Sequence, residues 1–564
     1  MITVYIDPKL QKFISEIKYT FSFVFNTLGY EMRFVSKKEQ LANNDILFYY
    51  SDKKPTIEEA CHWAMHRAIF YVPVQKELLN PRLLDKKELR NLVQEIKLQQ
   101  LVPIISKENV KIPIKYFKHK MIFFGIYEFD IIGNFFFNLI DYDELNNPVK
   151  DEFGRSKENE LIFINNQEAP FVNQLLWMVD LAIKDAVKNN DSLFLLRKDF
   201  WQNGKPFAAV FSHTVYSLQK WNLHKIFKSS FVEFLKFWHF KYNVKSFFDK
   251  MKFLFTNIEE YWKFDDIREI ENQHGVNSTY FFYATNGNEI DYSLGDEDLQ
   301  NEISALQKEY NEISLLASNN SSRDDILESE KDNLKKIINL EEVGIRHYLN
   351  KFNPQFTIEY HKKHGFIYDS SRTFLKNFGF VNGMGFPYYV HQLLVPTQQN
   401  VPQFQSRYIE LPITFSDRNL RISKYKTLPF EEAKTIVNNL IETIIKTNGF
   451  IHFDFSISSF SEIKYGQQIY NYIIQKVKEH NGFIGNCMQI TNWWKKRERV
   501  EIIENEIGAL IQFPENIDNF TLELLGNYNV EKVDGAKSAI DGPKIIFNNI
   551  LAGTKVQIFI GKIE

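Results

Sequence analysis

Residues 207–216 read Phe207-Ala208-Ala209-Val210-Phe211-Ser212-His213-Thr214-Val215-Tyr216, an apolar run of five residues leading straight into Ser-His-Thr. A short apolar run that ends in polar residues reads as a buried strand, and the polar residues at its end are candidates for a site. Similar runs recur at 279–283, 313–316, 343–345, 366–368, 409–415, 450–455 and 483–488, with helical stretches between them. Strands alternating with helices imply a parallel sheet with crossover helices, and this many units suggests a barrel over 201–499. Periodicity alone leaves barrel and open sheet equally open.

Outside this region the patterning changes. Residues 1–200 combine apolar runs at 4–6, 46–50, 69–74 and 101–105 with helical periods at 56–67 and 87–99, which predicts an N-terminal α/β domain. Residues 500–564 carry short alternating runs at 501–507, 510–513, 521–525, 544–547 and 555–560, parted by Gly, Asn, Asp and Pro. That pattern predicts a small C-terminal all-β domain, sandwich-like and docked on the barrel. The charged stretch 296–340 reads as exposed helices on the outside of the barrel, interrupted by Ser318-Asn319-Asn320-Ser321-Ser322.

Composition excludes several classes. The chain has 564 residues, 44% of them hydrophobic and 25% charged, as expected of a multidomain soluble globular protein. Its net charge of −3 provides no basic field for nucleic acid. The two cysteines, Cys61 and Cys487, form neither a disulfide framework nor a Cys-x-x-Cys zinc site. No apolar run reaches the ~18 residues of a transmembrane segment. The stretch from Met1 to Pro8 lacks the basic and apolar regions of a signal peptide, so the default expectation is cytoplasmic, with envelope association through a partner left open. Oligomeric state is not legible.

Five further motifs stand in order along the chain. Phe211-Ser212-His213-Thr214-Val215-Tyr216 is followed by Glu312-Ile313-Ser314-Leu315-Leu316-Ala317, Ile345-Arg346-His347-Tyr348-Leu349, Phe366-Ile367-Tyr368-Asp369-Ser370-Ser371, Glu410-Leu411-Pro412 and Phe450-Ile451-His452-Phe453. Together they resemble the polysaccharide deacetylase superfamily (carbohydrate esterase family four), in its Bacteroidetes-type branch. Asp151-Glu152-Phe153-Gly154-Arg155 resembles a segment of that branch's N-terminal domain, and Trp493-Trp494-Lys495-Lys496-Arg497 resembles its closing helix. The resemblance implies a distorted (β/α)7 barrel and a metal, usually zinc, held by an Asp of the first motif and two His of a later one.

In this chain those positions carry other residues. The two Asp positions of the first motif, a catalytic base and a metal ligand in the family, are Thr214 and Tyr216, and a ligand His position is Leu316. The Arg of the family's Gly-Phe-Arg-x-Gly is Val381. A hydroxyl, a phenol and a hydrocarbon cannot replace carboxylates and imidazole around a divalent cation, so the expected cofactor is none, the family metal being lost.

The leading expectation is a catalytically inactive deacetylase-like protein that binds a glycan or a protein partner through the old cleft. That cleft would be bordered by His213, Tyr216, Leu316, Asp369 and His452. One alternative is an active de-N-acetylase or hydrolase with a rebuilt site, for which His213, His452, Asp369, Arg346 and His347 are the candidates. His452 and Asp454, two residues apart, share a strand face and could do acid–base work, although half-buried strands carry such pairs for structure too. His213, His347, Asp369 and His452 also have residue types that suit a new zinc site, but their spacing fixes no distances. A third reading makes the chain a structural subunit of a bacterial envelope or secretion assembly. Trp493 and Trp494 read more readily as helix core than as a sugar platform.

Overall fold

The computed structural model describes the chain except for residues 38–45, 64–67, 81–85, 120–121, 152–154, 222–239, 257–258, 286–289, 322, 352–356, 392–407, 424–425, 506 and 564. Glu152-Phe153-Gly154 of the N-terminal motif, the end of the helix expected at 56–67 and Ser322 lie outside the described residues.

The fold centres on a ten-stranded sheet. Its main strands are numbered here along the chain: β1 (Ala208–Val215), β2 (Thr279–Phe282), β3 (Glu312–Ala317), β4 (Ile345–His347), β5 (Tyr368–Asp369), β6 (Ile409–Glu410), β7 (Phe415–Ser416) and β8 (Phe450–Ser456). They lie in the order β6-β5-β4-β3-β2-β1-β8-β7, and every pairing among them is parallel. Tyr388–Tyr389 adds an antiparallel edge on β6, and Phe483–Ile484 pairs with β1.

The sheet curls into a half-barrel. The chain from β6 to β7 runs between its two edges. Leu411 N donates to Asp369 O at 2.8 Å on the β5 side, and Thr414 N donates to His452 O at 2.9 Å on the β8 side.

Helices cover the outside. Four matter below: α1 (Phe264–His274), α2 (Thr357–Lys363), α3 (Phe430–Ile445) and α4 (Gly466–Glu479). Pro429 immediately precedes α3, and Glu431 and Glu432 occupy its first turn, where a fixed φ and negative charge both favour a helix start.

Residues preceding the curled sheet form a six-stranded sheet, in which Met32–Val35, Ile2–Ile6, Ile46–Ser51, Ala68–Pro73 and Ile122–Tyr127 run parallel. The expected helix over 87–99 is a correction. Only Lys86–Leu92 is helical, and Val93–Lys97 pairs antiparallel with Leu101–Ile105. The local sequence Val93-Gln94-Glu95-Ile96-Lys97 can serve either period, and the neighbouring strand captures it as a hairpin.

The C-terminal residues build two four-stranded antiparallel sheets, and one of them recruits Phe194–Lys198, which pairs with Phe520–Gly526. Arg497 binds these regions together: its buried guanidinium donates to the carbonyls of Asn26, Thr27, Lys198 and Asp199. Trp493 and Trp494 of the same helix are buried, with Trp493 Nε1 donating to Phe200 O at 2.8 Å.

Candidate functional site

Side chains alternate across a strand, so β1 sends Ser212 and Thr214 to the concave face of the curled sheet and His213 to the convex, helix-covered face. The same parity places Arg346 of β4, beside Leu316 of β3 in register, on the concave face with His452 and Asp454 of β8.

There the Arg346 guanidinium crosses the interior. It pairs with Asp454 and donates from Nη1 to Thr214 Oγ1 at 2.8 Å. From Nη2 it donates to Ser212 Oγ at 3.0 Å and Ser370 Oγ at 2.9 Å, and from Nε to Ser370 O at 2.9 Å. Its carbon centre sits 4.0 Å from the Phe281 ring centroid, a cation–π contact. Asp454 also accepts from Ser212 at 2.8 Å and from Thr214 at 3.0 Å.

Every member of this network is buried. Burial works to raise the Asp454 carboxyl, but Arg346, then His452, Ser212 and Thr214, outweigh it and hold it below its ordinary value. Burial, reinforced by Arg346, pushes the His452 ring down to about 3, so it is neutral at physiological pH. His452 Nε2 lies 2.9 Å from Ser212 Oγ, while its Nδ1 faces Leu411 O at 3.4 Å rather than a carboxylate. In a Ser-His-Asp triad a carboxylate holds the histidine, whereas here the backbone carbonyl of Leu411 faces that nitrogen.

The other candidates from sequence lie elsewhere. His213 packs between the sheet and the helices, with Nε2 3.0 Å from Glu271 Oε1 of α1 and 3.1 Å from the Tyr470 hydroxyl of α4. His347 and Asp369 also point to the convex face. His347 Nε2 is 2.7 Å from His361 Nε2 of α2, and His361 Nδ1 is 3.7 Å from Asp369 Oδ2. Burial pushes His347 down to about 4 and Asp369 up to about 7. The five residues expected to border one cleft therefore divide between two faces of the sheet. Among the described residues, no group of three or more His, Cys, Asp or Glu is placed to hold a metal ion.

Tyr216 stands at the C-terminal rim of the curled sheet's strands, referred to below as the mouth. It immediately follows β1, as Tyr283 follows β2 and Tyr348 follows β4, and the three rings contact one another at centroid distances of 6.0–6.4 Å. Arg418, just beyond β7, donates to the Tyr216 hydroxyl at 2.5 Å and lies 5.1 Å from that ring. Tyr216, Tyr348 and Arg418 are partly exposed. Sequence reasoning named Tyr216 but missed Ser212, Ser370, Tyr283, Tyr348 and Arg418. The available signal for the tyrosines was their position one residue past a strand.

Comparison with known proteins adds the following. A family of unknown function (DUF7033) matches residues 5–187. No curated protein matches the chain. Among solved structures, a protein described as a polysaccharide deacetylase from Mycobacterium smegmatis is 14% identical with a TM-score of 0.35, covering 52% of this chain and 92% of its own. PuuE allantoinase is 11% identical with a TM-score of 0.34 over the same shares of the two chains. Agd3, a carbohydrate deacetylase, is 8% identical with a TM-score of 0.34, covering 99% of this chain and 98% of its own.

Proposed function

We propose that this chain is a carbohydrate deacetylase-like protein in which a fixed guanidinium has taken the place of the metal centre, leaving a protein that binds a glycan without hydrolysing it. The observation that carries this reading is the Arg346 guanidinium, held by Asp454 and by the hydroxyl of Thr214, the residue at the family's carboxylate position.

The donor set does not fit a divalent cation. Thr214, Tyr216 and Leu316 offer a hydroxyl, a phenol and a hydrocarbon, and a permanent cation beside them opposes a second one. Fold and activity are separable, so a retained mouth can still bind. Tyr216, Tyr348 and Arg418 give that mouth aromatic faces and a hydrogen-bond donor, which suit a sugar ring. The segment joining β6 to β7 supports reading the curled sheet as the (β/α)7 barrel of this class; 1–200 and 500–564 would flank it, with Phe194–Lys198 of the first lent to a sheet of the second. A hydrolase rebuilt around His213 and His452 draws less support, because each histidine is engaged on its own face of the sheet.

The test is acetate release from chitohexaose by purified protein supplied with zinc, cobalt or nickel. No release above buffer is expected. Metal-dependent turnover that is lost on His452→Ala would overturn the reading.

A further inference from the structure

A second site lies away from the mouth, where the N-terminal region meets α3. We infer that the cleft between the 99–101 turn, the 164–169 segment and the outer face of α3 is a binding site for an uncharged oligosaccharide. Its volume is about 710 Å³, within the roughly 300–1,000 Å³ of small-molecule sites.

The lining decides the ligand class. Six of its residues carry side-chain amides: Gln100, Asn165, Asn166, Gln167, Asn377 and Asn439. Each amide presents an acceptor and donors side by side on one carbon, an arrangement that can bridge neighbouring hydroxyls of a sugar ring. Among the described residues of the lining the only charged one is Glu168, which is exposed, and none is a cation that could hold a phosphate, sulfate or uronate.

Hydrogen-bonding capacity is left over. Asn166 is engaged by Glu95 and Asn377 by Glu158. Gln100 Nε2 and Gln167 Oε1, by contrast, are buried atoms with no partner. A buried amide atom without a partner carries a desolvation cost that a hydrogen bond from a ligand hydroxyl would offset. The floor includes Leu440, and Asn439 beside it on α3 is exposed to the cleft. The walls come from separate stretches of chain, and two of them are tied together: Phe380 N donates to Gln167 O at 2.7 Å, joining the 164–169 segment to the chain beside Asn377.

This inference stands independently of the mouth. The experiment is calorimetric titration of the full chain with cellohexaose, maltohexaose and chitohexaose, repeated in a Tyr216→Ala background to remove the mouth's contribution. At least one hexaose should bind in that background, and Asn439→Leu and Gln100→Leu should each weaken it tenfold or more. Polygalacturonate should not bind there. No binding of any hexaose in the Tyr216→Ala background, binding unchanged by both cleft substitutions, or preferential binding of an uncharged polar peptide would each overturn the inference. Failure of the mouth reading appears separately, as a Tyr216→Ala substitution with no effect.

Discussion

The Arg346 guanidinium donates to the Thr214 hydroxyl at 2.8 Å across the interior of the curled sheet. Thr214 brings a hydroxyl rather than a carboxylate to this face, and Arg346 brings a buried guanidinium. The two residues belong to one network, since Asp454 ties them together.

That network should behave as a coupled unit. Arg346→Met leaves the Asp454 carboxylate buried without its counter-charge and should cost about 3–5 kcal/mol of stability. Arg346→Met with Asp454→Leu should cost less than the sum of the two single changes. Urea denaturation of the four proteins measures it, and additive losses would show that the pair does not interact.

His452 makes a signed prediction about pH. Its folded pKa of about 3 lies below the ordinary histidine value near 6.5. As pH falls through that window the unfolded chain takes up a proton before the folded one does, so the stability His452 contributes above pH 6.5 is progressively lost. Relative to His452→Gln, the native chain should lose up to about 1.4 kcal/mol more per pH unit between pH 6 and 4. Parallel slopes for the two proteins would contradict the assignment.

Much of the fold was legible because strand periodicity is local. The run at 207–211 and most of its successors each mark one strand of the curled sheet, but the run at 409–415 covers two, Ile409–Glu410 and Phe415–Ser416, far apart in the strand order, and only Phe483–Ile484 of 483–488 is strand. The shared face of His452 and Asp454 was likewise readable, because two-residue alternation is a property of the strand itself. The same alternation puts His213 on the opposite face from Ser212. What could not be read was Arg346 reaching Asp454, which lies 108 residues along the chain. Contacts across a parallel sheet depend on strand order and curl, and neither is written in local spacing. The 87–99 segment failed for a related reason: its hairpin partner, not its own pattern, makes 93–97 a strand.

The mouth is open to a direct test. Tyr216→Ala should weaken chitohexaose binding there about tenfold, by removing a stacking face. Tyr216→Phe should have a smaller effect, because it keeps the ring and loses only the hydrogen bond from Arg418. Calorimetry in an Asn439→Leu background separates this from the cleft. Equal affinities for all three proteins would remove the mouth as a glycan site.

Restoring the family's ligands should be insufficient by itself. Thr214→Asp, Tyr216→Asp and Leu316→His together supply a metal's donors but leave the guanidinium in place. Adding Arg346→Ser to the three should raise zinc affinity by at least tenfold over the triple variant, as read by competition with a chelating dye. Equal affinities would mean that Arg346 does not oppose the ion.

The central claim is that a guanidinium stands where the family's metal stands. It is tested most directly by diffraction at the zinc edge from crystals of the unaltered protein soaked in zinc. The account predicts no anomalous peak on the concave face of the sheet near Thr214, Leu316 and Asp454, with Arg346 still paired to Asp454. A peak there, with Arg346 swung away and His452 or Asp454 at coordinating distance, would contradict it.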